Sequence, residues 1–146
     1  MPQAYAELHC LSNFTFLRGA SHAQELVETA IRLGYQALAV TDECSLAGVV
    51  RAHAVAREHK ENFKLIIGSE FRLDDGLRFV LLATNRAGYG NLCELITRGR
   101  RNAPKGEYRL SRSHLETGVE HCIALWLPAA EPQSEQGAWL GQRFPG

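Results

Sequence analysis

No stretch of the sequence approaches the roughly 18 uninterrupted apolar residues of a membrane-spanning helix, which sets helical membrane proteins aside. The N-terminus "MPQAYAELHC" lacks the basic head and apolar core of a secretory signal, so a cytoplasmic protein is expected. Nor does charge of one sign dominate. Sixteen Lys and Arg balance sixteen Asp and Glu, so bulk charge selects no class of partner. The four cysteines, Cys10, Cys44, Cys93 and Cys122, form no Cys-x-x-Cys pair and are irregularly spaced. That argues against zinc ligation or a disulfide framework and for free, mostly buried thiols in a reducing compartment. No internal repeat or low-complexity block is visible. Gly88 and Gly90 in "AGYGN" are not followed by a Gly-x-x-x-x-Gly-Lys pattern, so they are expected to start a helix and not to cradle a phosphate. What is present is 146 residues, 45% apolar and 22% charged, enough for one domain with a sizeable core.

Periodicity divides the chain into alternating elements. Ala4 to Leu8 reads as a strand. "SHAQELVETAIRLG" opens with a capping box, Ser21 and Gln24, carries Leu26, Val27, Ala30, Ile31 and Leu33 on one face, and ends at Gly34 as C′ residue. Ala37 to Thr41 is a continuous apolar run, the mark of a strand covered on both faces. "SLAGVVRAHAVAREHK" predicts a second helix with Leu46, Val49, Val50 and Ala54 inward. "FKLIIGSEFRL" and "LRFVLLAT" are strands joined by a turn at Asp74 to Gly76. "GYGNLCELITRGRR" is a short helix with Leu92, Leu95 and Ile96 on one side, and "CIALWLP" a last strand stopped by Pro128. The order β-α-β-α-β-β-α-β suggests an α/β fold with a largely parallel sheet whose strand ends share one rim. Trp139, Leu140 and Phe144 lie beyond it, in no element long enough to bury them. The chain is therefore expected to stop before its fold is complete.

Three short stretches fall at predicted strand ends: "LHCLS" after the first, "TDECSLAG" after the second and "GSEF" within or after the third. Converging on one rim, His9, Asp42, Glu43 and Glu70 would offer imidazole and carboxylate donors suited to zinc or manganese. Isolated acids in loops are more often simply solvated, so spacing alone makes this signal weak. The remaining histidines fit no ligand pattern: His53 and His59 are six apart, and His22, His114 and His121 lie in polar surroundings. A second candidate is the segment Thr97 to His114, with Arg98, Arg100, Arg101, Lys105, Arg109 and Arg112 against one acid, Glu107. Together with Tyr108 it could hold a nucleic-acid backbone by phosphate neutralisation. The plainer reading is a solvated loop after a helix whose C-terminal dipole favours cations.

His9-Cys10-Leu11-Ser12, Thr41-Asp42-Glu43 and Gly68-Ser69-Glu70 resemble the motifs of the polymerase and histidinol phosphatase (PHP) domain. Those motifs read roughly His-x-His-Ser, Thr-Asp-His and Gly-x-Glu. The run from Ala4 to His53 and the later "LLATNRAGYGNLCELITRGRR" are similar to the N-terminus of error-prone relatives of the bacterial DNA polymerase III alpha subunit. The resemblance covers roughly residues 4 to 127. It implies a distorted (βα)7 barrel, of which residues 1–128 are an N-terminal portion and 129–146 a truncated continuation. It also implies a metal cluster at the strand ends, which in some members hydrolyses phosphate esters or acts as a 3'-5' exonuclease. For the parent protein it implies a DNA-directed polymerase in damage-induced replication and translesion synthesis. DNA, deoxynucleotides and accessory damage-response proteins would be its partners, Mg2+ would act in an absent palm, and no membrane would be involved.

The departures from the pattern matter as much. Leu11 stands at the family's second histidine, Glu43 replaces the histidine after the aspartate, and Arg18 stands where an acid is common. The resemblance leaves His9, Asp42 and Glu70 as remnant metal positions, with Asp42 supporting more than ligating. Leucine donates nothing to a metal, and arginine stays protonated at any working pH. The expectation is a metal-free site with no catalytic residue and a structural or partner-binding role. An ion pair of Arg18 with Glu43 or Glu70 would stand where the cation was. The rival is a metal-dependent phosphoesterase or exonuclease of the same fold.

Overall fold

The computed structural model describes residues 4–146. They fall into two compact units divided at Ser69 and Glu70. No helix is long and apolar enough, among these residues, to cross a membrane.

In the first unit β1 (Ala6–Cys10) lies parallel to β2 (Ala37–Val40), and β2 lies parallel to the start of β3 (Lys64–Arg72). The crossovers carry α1 (Ala23–Arg32) and α2 (Val49–Ala56), the latter continued by a 3-10 turn at Arg57–His59. All four residues of β2 are buried, as its unbroken apolar run requires. Of these, Leu38 and Val40 pack with Ala23, Val27, Ala30, Ala52, Ala56 and Phe63. Helix α1 starts one residue later than its sequence suggested: His22 is the N-cap, and its N–H donates to Glu25 Oε2 at 2.8 Å. At the other end Gly34 has φ +77°, and two backbone bonds, Gly34 N to Ile31 O and Tyr35 N to Ala30 O, close the helix. Helix α2 buries Val49, Ala52 and Ala56. The expected inward Val50 and Ala54 face solvent, Val50 at 75% exposure, because three- and seven-residue spacing from Val49 selects the alanines as the inward stripe.

The second unit opens with the end of β3, turns at Leu73 to Leu77 with Gly76 at φ +88°, and continues in β4 (Arg78–Ala83). β4 pairs antiparallel with β5 (Cys122–Trp126), from Phe79 opposite Trp126 to Ala83 opposite Cys122. Parallel pairing therefore holds only in the first unit. α3 (Arg86–Arg101) packs on β4 and buries Gly88, Leu92, Leu95 and Gly99. Its cap is Asn85, whose side chain accepts from Gly88 N at 3.0 Å. The residues left without an element by their sequence form a fourth helix, α4 (Ser134–Arg143), seated on β5. A Cβ on Gly137 would stand 2.7 Å from the Trp126 ring, so only glycine lets α4 approach that closely.

Candidate functional site

Asp42 sits just past the end of β2 and is 1% exposed. Its Oδ1 accepts from Ser12 N at 2.8 Å and from the Thr15 hydroxyl at 2.6 Å, and its Oδ2 from the Ser12 hydroxyl at 2.7 Å. Three charge-assisted bonds satisfy most of a carboxylate's capacity. They fasten the loop that follows β1 to the end of β2. The same loop closes on itself through Asn13 N to Ser21 O at 2.8 Å and Gly19 N to Thr15 O at 3.0 Å. A Cβ on Gly19 would lie 2.0 Å from Ser12 O, so the closure needs glycine. Ser69, near the middle of β3, donates its hydroxyl to Asp42 O at 2.7 Å and accepts from Ser45 N at 3.2 Å. The ends of the parallel strands are thus tied by hydroxyl groups. Ser12 and Ser69 stand in motifs the sequence displayed, but nothing in their type marked them as donors to Asp42, and Thr15 carried no signal at all.

Arg18 and Glu43 meet as an ion pair, Nη1 to Oε2 at 2.8 Å. This is one of the two pairings the sequence suggested. The side chains are 36% and 27% exposed, so solvent screens them and the pair is worth about 0–1 kcal/mol. Glu43 N also donates to the Thr15 hydroxyl at 3.0 Å, so the pair is built on the loop that Asp42 anchors. His9 lies inside β1, half-buried, and not just beyond the strand as expected. Next to it, burial raises the Cys10 thiol to about 11, helped by the charges of Glu7 and Asp42. Cys10 therefore stays protonated at neutral pH and is a poor nucleophile or metal ligand. Glu70 belongs to the second unit, where it is 1% exposed and accepts from Arg78 Nη2 at 2.6 Å.

By donor chemistry this set does not fit a divalent cation. Leu11 is aliphatic, Glu43 is held by a guanidinium, and Asp42 spends both oxygens on Ser12 and Thr15. Among the described residues no three His, Cys, Asp or Glu side chains stand together to hold a metal.

The basic segment splits by role. Arg98 bridges to Glu94 one turn back, and Arg112 binds Asp75 at 2.6 Å and Glu135 Oε2 at 2.9 Å and stacks 4.9 Å over Trp139. Arg100 donates to Gly106 O and Glu107 O, each at 3.3 Å, and lies 5.5 Å over Tyr108, whose hydroxyl accepts from Arg72 N. Arg101, Lys105 and Arg109 remain exposed.

The PHP domain profile matches residues 7–139. This chain belongs to the PHP domain family. Among curated proteins it is similar to the error-prone DNA polymerase of Methylococcus capsulatus, 66% identical over 142 residues, covering 97% of this chain and 13% of that protein. It is likewise similar to the error-prone DNA polymerase of Pseudomonas aeruginosa, 61% identical over 97% of this chain and 14% of that protein. This PHP chain thus spans about a seventh of those relatives' length. Among solved structures the PHP fold reappears in a protein described as a metal-dependent phosphoesterase from Bifidobacterium adolescentis. The two share 21% identity and a TM-score of 0.54, over 68% of this chain and 34% of that one. An amidohydrolase from Chromobacterium violaceum matches at 22% identity and the same TM-score. At such identities the likeness concerns the fold alone.

Proposed function

We propose that this chain is the PHP segment of an error-prone, DNA-directed DNA polymerase of the cytoplasm, acting in damage-induced replication and translesion synthesis. The observation that carries the reading is 66% identity to one such polymerase across 97% of this chain. Nucleotidyl transfer would then take place in a palm elsewhere in the polypeptide. Mg2+ there would serve the transfer of deoxynucleotides onto DNA. The segment itself contributes structure or a docking face and no catalytic group. His9, Asp42 and Glu70 are remnants of a metal site, and in the first unit the Asp42 clamp and the Arg18–Glu43 bridge do a structural job.

Two measurements on the full-length protein test this. Primer extension with deoxynucleotides and Mg2+ tests the polymerase; absence of extension by the folded protein would remove it. Metal content by mass spectrometry tests the site, comparing the natural protein with the combined variant Leu11→His, Arg18→Asp, Glu43→His. The expected result is no bound metal in the natural protein and metal gained in the variant. Stoichiometric zinc or manganese in the natural protein would favour the phosphoesterase or exonuclease alternative.

A further inference from the structure

The C-terminal turn of α3 and the loop after it carry more positive charge than the fold uses. Arg98 is neutralised by Glu94 and Arg112 by Asp75 and Glu135. Arg100 is spent on Gly106 O, Glu107 O and the Tyr108 ring. Those contacts fold the loop back, and Arg109 N donates to Gly99 O at 3.0 Å inside the last turn of the helix. A further bond, Glu107 N to Pro104 O at 3.0 Å, sets the loop's own turn. Arg101, Lys105 and Arg109 are thereby carried on an ordered frame. They are exposed, and none makes an ion pair among the described residues. A helix dipole is satisfied by cations in its last turn, which accounts for Arg98, Arg100 and Arg101 but not for Lys105 and Arg109 beyond it. Glu107 is the single acid between Thr97 and His114.

We propose that Arg101, Lys105 and Arg109 bind the phosphate backbone of the DNA on which the parent protein acts. This rests on the polymerase reading above and adds a contact that reading does not require. Cations on a fixed frame neutralise phosphates without reading bases, so their contribution is insensitive to sequence and strongly dependent on salt.

The test uses the full-length protein and a labelled primer–template, with affinity measured by fluorescence anisotropy over a range of NaCl concentrations. Replacing Arg101, Lys105 and Arg109 together by Gln should flatten the slope of log affinity against log salt by about 2 to 3, since each lost phosphate contact removes about 0.9. The loss should be equal for two unrelated DNA sequences, and Arg101→Lys with Arg109→Lys should retain the natural slope. A control replacing the exposed Arg51, Arg57 and Lys60 of the first unit by Gln removes the same charge. Its slope should match the natural one. Equal flattening in both variants reduces the effect to bulk charge and overturns the proposal. So does an unchanged slope with a lowered melting temperature, which places the three cations against protein. A natural protein that extends primers yet shows no change in the variant sinks this inference alone; one that cannot extend primers sinks the polymerase reading.

Discussion

Asp42 is the residue on which the strand ends depend, because its buried carboxylate ties two chain segments together. It accepts from Ser12 N, the Ser12 hydroxyl and the Thr15 hydroxyl, and so holds the loop after β1 against the end of β2. Asp42→Ala leaves three buried donors unpaired and should destabilise the protein by about 3 kcal/mol or more. Asp42→Asn should cost clearly less, because an amide oxygen still accepts from Ser12 N and Thr15. Denaturant midpoints of the two variants decide it, and a neutral Asp42→Ala would end the anchor account. The sequence made Asp42 conspicuous through "TDE" but did not reveal its partners. Ser and Thr are among the commonest surface residues, and only folding brings Ser12 and Thr15, about thirty positions away, to the end of β2. Arg18 and Glu43 were legible as a pair because each broke a family pattern at the same place.

At the scale of elements, periodicity located every strand and the first three helices, since each depends on local apolar spacing. It failed where the stabilising contact is distant or polar. Helix α4 is such a case: its sequence, "SEQGAWLGQR", holds two glycines and buries only Leu140. What fixes it comes from elsewhere in the chain. Trp126 packs on Gly137, Arg143 donates to Leu115 O and Glu116 O, and Arg112 grips Glu135 and stacks on Trp139. The Arg112 guanidinium, by hydrogen bonding and charge, holds the Glu135 carboxyl below its ordinary 4.5. A carboxyl depressed in the folded state stabilises above its unfolded value and loses that contribution as pH falls through its folded value. The Arg112–Glu135 bridge should therefore weaken as pH falls below 4.5. Because the Glu135 side chain is 67% exposed, the step is a small local change at Trp139 and not the release of α4. Tryptophan fluorescence from Trp139 and Trp126 during acid titration should show this step, and Glu135→Gln should abolish it. A step of unchanged size in Glu135→Gln would assign the acid response to another group.

Over the whole molecule, the parallel βα order and the rim of strand ends in the first unit were readable, because crossover chirality and buried strands follow from sequence pattern. The antiparallel β4–β5 pair was not, since neither strand's pattern declares its partner. Exposed apolar surface is unevenly shared: Tyr5, Leu8, Phe14, Phe16, Leu17, Leu33 and Val50 belong to the first unit, against Ile123 in the second. Phe16 and Leu17 are 83% and 89% exposed, and Leu17 holds φ +65°, a conformation that disfavours any residue with a Cβ. Their loop is clamped by Asp42, so they cannot fold inward to hide. An apolar loop held out in this way promotes association, and β1, whose described pairing is with β2, adds a strand edge. The chain of 146 residues produced alone should therefore exceed its 16.2 kDa monomer mass in size-exclusion chromatography with light scattering, increasingly so as concentration rises. Phe16→Ser with Leu17→Ser should return it toward the monomer without lowering its melting temperature, because neither side chain is packed. A natural chain that stays monomeric throughout would show that this surface is inert, and the loop would then need no partner to cover it.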